Sequence, residues 1–237
     1  MGFLQDNLIP IFNKRELIFK ESYQESDNVY TFAFEKEQGV NWKAGQYGLF
    51  SITHKKIKNA TKPFSLASAP SENTIKISTI IREEPSEFKK ALLELQQGMK
   101  VKMSGPLGPF YLKDNGPTLL IAGGIGITPF RSILKQAEAE GTEVGNRIHL
   151  LYVDSQKSHL FKDEFDGIAG NTSMSVTYLD SRDELHSEID KFIALNKDNG
   201  NYYVAGPKAM VGSVTAYLQN KNVSKRNVVK DSFFGYS

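Results

Sequence analysis

The chain of 237 residues contains no cysteine. That removes disulfides, thiolate chemistry and cysteine-ligated zinc or iron–sulfur clusters from what its own residues can build. Any iron–sulfur centre in its pathway must sit on a partner. Net charge is also scarce: 29 Lys and Arg oppose 27 Asp and Glu, leaving +2. A field that small does not argue for nucleic acid, and any basic surface must be local. Long apolar runs are missing too. No stretch approaches the ~18 apolar residues of a membrane span, and the start MGFLQDNLIP lacks a basic, long-apolar and cleavage-site succession. The expectation is a cytoplasmic protein without a membrane span. The histidines, His54, His149, His159 and His186, share no metal-ligand spacing, so no metal is expected.

With 40% hydrophobic and 24% charged residues, the composition is that of a globular protein able to form two modest cores. Pattern divides the chain near Lys113-Asp114-Asn115-Gly116-Pro117, giving expected domains of 1–113 and 114–237. Before the junction, alternating segments at 29–36, 45–53, 74–82 and 100–104 predict a closed antiparallel barrel. Tyr30, Phe32 and Phe34 share one strand face there. A single helix is expected from Ser86 to Leu95, capped by Ser86 and carrying Phe88, Leu92 and Leu95 at helical spacing. After the junction, strands at 118–123, 148–154, 174–179 and 202–206 alternate with helices at 129–140, 160–169, 184–196 and 208–221. Such alternation predicts a parallel sheet with helices on both faces. The last helix carries Met210, Val214, Tyr217 and Leu218 on one face, which reads as packed core.

Two short stretches carry most of the functional information. Lys62-Pro63-Phe64-Ser65-Leu66-Ala67-Ser68 reads as a strand ending in small, hydroxyl-bearing residues. Gly123-Gly124-Ile125-Gly126-Ile127-Thr128-Pro129 reads as a buried strand that breaks into a glycine turn and then a helix, with Thr128 as N-cap and Pro129 as first helical residue. Gly123, Gly124 and Gly126 would let a ligand approach the main chain, and the helix start would offer N–H groups to a pyrophosphate. Taken alone, the same cluster reads equally as a tight strand-to-helix turn.

KPFSLAS, SGPLGPF at 104–110, GGIGITP, VAGPKAM at 204–210 and DSFFGY at 231–236 together resemble the ferredoxin-NADP reductase family, in the same order and spacing over the whole chain. The resemblance implies a flavin-binding barrel followed by a nicotinamide-binding α/β domain. It implies that Ser65 bonds flavin N5 and that Lys62 and Phe64 replace the family's phosphate-binding Arg and flavin-stacking Tyr. Pro63 lies between them. Lysine keeps the charge without the two-pronged fork, and phenylalanine keeps a flat apolar surface but loses one hydrogen bond. Ile81-Arg82 corresponds to a strand end facing the flavin diphosphate, and Ser86-Glu87-Phe88 to the helix start that receives it. A dipole and a hydroxyl at that point favour FAD over FMN. Arg82 alone could equally be a solvated charge.

On the nicotinamide side the resemblance places Thr128 near the nicotinamide and Ala205-Gly206-Pro207 at the family's Cys-Gly-Pro. Ala205 stands where the family has a cysteine close to the hydride-donating carbon. Ser181-Arg182 resembles a pair that holds a 2′-phosphate and favours NADPH. Asp154, ending the preceding strand, would prefer the free ribose hydroxyl of NADH, with Lys157 offsetting its repulsion of phosphate. Asp231 and Phe233 fall near the family's terminal acid and flavin-stacking aromatic, and Phe234, Gly235 and Tyr236 form an extension that could cover the adenine end of FAD. For 228–234 the alternative is a last sheet strand with its phenylalanines in the core. The run His54-Lys55-Lys56-Ile57-Lys58 is either a solvated loop or a surface that steers an acidic one-electron carrier.

The implied activity is an FAD-dependent oxidoreductase that takes hydride from NADPH and delivers electrons to ferredoxin, flavodoxin or an oxygenase component. Hydride transfer needs no general acid–base pair. The alternatives are an NAD(P)H:flavin reductase with diffusible flavin and an electron-transfer subunit of a larger complex.

Overall fold

A computed structural model describes residues 14–113, 116–141, 147–196 and 199–233. It divides into two compact units, Met1–Tyr111 and Leu112–Ser237.

Unit 1 is an antiparallel sheet of six strands: β1 Lys14–Ser26, β2 Val29–Glu35, β3 Tyr47–Ile52, β4 Thr61–Ser65, β5 Thr74–Ile80 and β6 Lys100–Leu107. Their order is β4-β3-β6-β1-β2-β5. Ala67 N donates to Lys76 O at 2.8 Å, which ties the chain just past β4 to β5 and brings the two sheet edges together as a barrel. β1 falls outside the segments expected from sequence. Its first part pairs with β6 and buries Leu17, whereas beyond Phe19 it pairs with β2 through two register shifts and exposes Lys20 to Gln24. The polar outer half masks the alternation, and bulges let one strand serve both neighbours.

Apolar side chains fill the interior. Phe19, Phe34, Phe50, Phe64 and Phe88 form a continuous ring series with successive centroids 5.7–5.9 Å apart. Phe88 belongs to helix α1, Glu87–Leu93, whose N-cap Ser86 accepts from Lys89 N at 3.4 Å. On β2, Phe32 and Phe34 join this core and Tyr30 packs against it, but the opposite face is covered as well. Thr31 is buried there and shares a 2.7 Å hydroxyl contact with Ser78.

Unit 2 contains β7 Thr118–Gly123, α2 Thr128–Glu140, β8 Ile148–Val153, α3 Lys162–Asn171, β9 Ser175–Leu179, α4 Arg182–Asn196, β10 Asn201–Pro207, α5 Lys208–Asn220 and β11 Val228–Phe233. The strands are parallel in the order β11-β10-β7-β8-β9. β7 is buried at every residue, which explains its unbroken apolar sequence. The chain first steps outward through β8 and β9, then returns to the other side of β7 for β10 and β11. Right-handed crossovers therefore place α2 and α3 on one face and α4 and α5 on the other. Leu185, Ile189, Phe192, Val211, Val214 and Leu218 of the latter pair share a core with Leu119, Ile121, Leu151 and Val204. α2 and α3 are joined by a two-pronged ion pair, with Arg131 Nε and an outer nitrogen 2.9 and 2.8 Å from the Glu164 carboxylate. Strand order reverses between β7 and β10, and open parallel sheets bind ligands beyond the carboxyl ends of the strands at such a reversal. No helix among the described residues is long and apolar enough to cross a membrane.

Candidate functional site

At the strand reversal, β7 ends in Gly123 and runs into a 3-10 turn, Gly124–Ile127, before α2 begins. The three glycines do different jobs. A Cβ on Gly126 would lie 2.3 Å from Ala205 O and 2.6 Å from Gly206 Cα, so Gly126 is required by the main chain of β10. Gly206 has φ +156°, and a Cβ there would meet Gly123 main-chain atoms at 3.1–3.3 Å. These glycines seat the ends of two neighbouring strands against each other. Gly124 alone has φ +50° with open space where a Cβ would point. Of the cluster, it is the position whose freedom the surrounding chain does not consume. Thr128 is the first helical residue rather than the N-cap, and its hydroxyl donates to Ile125 O at 3.1 Å. Pro129 is accordingly the second helical residue rather than the first.

Ala205 faces Ala122 on one side and Asp231 on the other in register. Gly206 is opposite Ser232, and Pro207 is opposite Phe233. The segment holding Asp231 and Phe233 is thus the last strand of the sheet. Burial raises the Asp231 carboxyl from its usual 3.8 to about 6, partly offset by a main-chain hydrogen bond from Ser232. Tyr236, with Phe234 and Gly235, lies outside the described residues.

At the ends of β8 and β9 the arrangement differs from the sequence reading. Asp154 is only 8% exposed. One carboxylate oxygen accepts from Gln156 N at 3.0 Å, and the other from Ser158 Oγ at 2.7 Å and His159 N at 3.2 Å. The carboxylate is thereby engaged in folding its own turn and is buried rather than an exposed charge. Lys157 does not answer Asp154 but reaches Asp180 Oδ2 at 2.6 Å. Ser181 caps α4, its hydroxyl accepting from Glu184 N at 3.2 Å, while the Glu184 carboxylate accepts from Asp180 N at 3.1 Å. Ser-x-x-Glu is a helix-start signature legible in the sequence, although Glu184 here accepts from the residue before the cap. Arg182 opens α4 and is exposed.

In unit 1, Ser65 ends β4, and its hydroxyl oxygen is buried with no hydrogen-bond partner among the described residues. Phe64 does not present its ring as a free flat surface. It is 8% exposed, stacks on Phe88 at 5.7 Å and meets Phe50 edge-on at 5.9 Å. Lys62 and Pro63 are exposed on β4. Ile81 is buried past the end of β5, with its N–H bonded to Asn28 O at 2.7 Å, and Arg82 next to it is exposed. Ser86 and Glu87 are exposed at the start of α1, where Glu87 accepts from Lys58 N at 3.2 Å. The 54–58 loop is also held at the far end of α1, where Lys55 Nζ lies 2.7 Å from Glu94.

Residues 120–216 match the family model of the oxidoreductase NAD-binding domain. The chain is 28% identical over 185 residues to the toluate 1,2-dioxygenase electron transfer component of Pseudomonas putida, covering 73% of this chain and 54% of that protein. It is 25% identical over 230 residues to one of the subunits of the Na(+)-translocating NADH-quinone reductase of Idiomarina loihiensis, covering 86% and 56% respectively. It therefore spans about half the length of each relative. Among solved structures, ferredoxin-NADP+ reductase from Plasmodium falciparum superposes with a TM-score of 0.79 at 18% identity, covering 96% of this chain and 99% of that one. The Amycolatopsis cytochrome P450 reductase GcoB gives 0.78 at 20%, covering 94% and 71%. The chain carries an oxidoreductase NAD-binding domain over residues 120–216 and shares the fold of ferredoxin-NADP+ reductase.

The sequence motifs imply a flavin, and the residues of this chain can be tested against it. An unsatisfied buried hydroxyl costs about 1–3 kcal/mol, so the partnerless Ser65 oxygen is a position where an external hydrogen-bonding group would be stabilising. It fits a flavin ring nitrogen. The buried ring of Phe64 fits less well, because both contacts that hold it come from the barrel's own core.

Proposed function

We propose that this chain is an FAD-dependent NAD(P)H oxidoreductase that takes hydride from NADPH and passes electrons one at a time to an acidic carrier protein such as ferredoxin, flavodoxin or an oxygenase component. The observation that carries the reading is the buried, partnerless Ser65 hydroxyl at the end of β4. Bound flavin would supply the conversion of one hydride into two single-electron transfers. Ser65 would hold its reacting edge by a hydrogen bond, and Lys62, Arg82, Ser86 and the main chain at Glu87 and Phe88 would receive the diphosphate. Gly124 would admit the nicotinamide cofactor's pyrophosphate to the main chain before α2, and Thr128 would lie beside the nicotinamide. Ala205 and Asp231, paired in register on β10 and β11, would lie beside the nicotinamide.

NADPH is the preferred donor in this reading, supported by exposed Arg182 and by the turn of Asp154, which withdraws that carboxylate from the surface. Arg182→Ala should raise the KM for NADPH about tenfold or more, the loss of one charge-assisted hydrogen bond, and barely move that for NADH. Equal effects on both would remove Arg182 from phosphate recognition. The flavin itself is tested by the purified protein: visible flavin absorption, with FAD released on denaturation, is expected, and protein that takes up no FAD or holds only FMN would overturn the assignment. Phe64 supports a second reading, an NAD(P)H:flavin reductase. With its ring held in the core, flavin would lose a stacking partner and exchange freely, which loss of colour on dilution and dialysis would reveal.

A further inference from the structure

Gly123, the last residue of β7, is small for a reason that its neighbours do not share. A Cβ there would lie 2.0 Å from Met210 Sδ, 3.2 Å from the Met210 methyl carbon and 3.4 Å from Pro207 Cδ. The place of the missing side chain is therefore filled by the thioether of the third residue of α5. Met210 packs on one side against the core that Ile121, Val204 and Leu218 share, and its sulfur lies on the main chain at the carboxyl ends of β7 and β10. The packed-core reading from sequence holds for that side only, because Met210 stays partly exposed. Among the described methionines this setting is its own. Met103 and Met174 are buried, and Met99 is partly exposed but its sulfur accepts from Gln96 N at 3.4 Å in the turn between α1 and β6.

We propose that Met210 is a site of reversible oxidation by hydrogen peroxide, and that its sulfoxide closes the crevice at the strand reversal to the nicotinamide nucleotide. In the step, peroxide gives one oxygen atom to the sulfur and leaves as water, so the sulfur is oxidised by two electrons and the peroxide reduced by two. Oxidation turns a flexible apolar side chain into a polar, chiral one. The thioether already occupies the space over Gly123, so the added oxygen has no room against the main chain and turns the side chain outward, over the ends of β7 and β10. Methionine sulfoxide reductases undo the change. The inference goes beyond the NAD(P)H reading above but rests on nucleotide binding at the strand reversal.

The test exposes the whole purified protein to graded hydrogen peroxide, locates the added oxygen by peptide mass spectrometry, and titrates each sample with NADPH and with NADH. Met210 should be oxidised ahead of Met99, Met103 and Met174. Nucleotide affinity should fall about tenfold in step with it, the scale of one polar atom left without a partner, while circular dichroism shows the fold retained. Treatment with methionine sulfoxide reductases should restore both sulfur and affinity. In Met210→Leu, the affinity measured before exposure should persist after it. Oxidation of Met99 with Met210 spared, full oxidation of Met210 without loss of affinity, a loss that comes only with unfolding, or an equal loss in Met210→Leu would each overturn the inference and leave the NAD(P)H reading standing. Untreated protein that binds neither nucleotide would overturn both.

Discussion

The ends of β4 and β7 look alike in sequence, each a strand running into small residues, but the structure treats them oppositely. At β7 the protein satisfies itself: Gly126 and Gly206 let the strand ends touch, and the Thr128 hydroxyl bonds back to Ile125. At β4 it does not, and the Ser65 hydroxyl stays buried without a partner. Small residues can therefore mark close packing or an awaited ligand, and the difference lies in whether the chain's own atoms already fill the demand.

Gly126→Ala should be the most damaging change. Its Cβ would meet main-chain atoms of Ala205 and Gly206 at 2.3–2.6 Å, which no rotamer relieves, so a loss of about 3 kcal/mol or more in urea unfolding is expected. A nearly native midpoint would show that the strand ends are not in fixed contact. Gly124→Ala, with φ +50° and open space, should cost only the left-handed backbone penalty, roughly 1–2 kcal/mol, with its larger effect on nucleotide binding. Equal losses for the two variants would erase the distinction drawn within the turn.

A subtler contrast concerns Asp231. Its carboxyl is raised from the usual 3.8 to about 6, so the folded state holds the proton more tightly than the unfolded chain does. Its contribution to stability is fully present below pH about 4 and is lost as pH rises through about 6. Relative to Asp231→Asn, the wild type should therefore lose melting temperature across that window. Parallel curves would mean that the carboxylate is well solvated in the fold.

Much of the architecture was legible because its signals are local. The apolar run of β7 and the alternation of strands with helices in unit 2 follow from burial on both sheet faces, and the expected boundaries there lie within about two residues of those observed. β1 was missed because its outer half is polar and bulged. In the candidate site two residues are engaged by the chain itself for one reason. Asp154 and Ser181 have the chemistry of ligand-binding residues, yet both sit where short polar side chains bond the neighbouring main chain. The helix cap at Ser181 was visible in the sequence, whereas the need for Gly126 was not, because its partner is nearly 80 residues away in sequence.

In the proposed reading the Ser65 hydroxyl is left unsatisfied for a flavin. It is tested most directly by comparing wild type with Ser65→Ala, each stripped of flavin and then titrated with FAD while its melting temperature is followed. Removing a buried, unpaired hydroxyl should leave the flavin-free protein as stable as wild type, or more so by up to about 1 kcal/mol, while weakening FAD binding and slowing flavin reduction by NADPH. A Ser65→Ala protein that is less stable without flavin, yet binds and reduces FAD as wild type does, would show that the hydroxyl serves the barrel itself and would contradict the account.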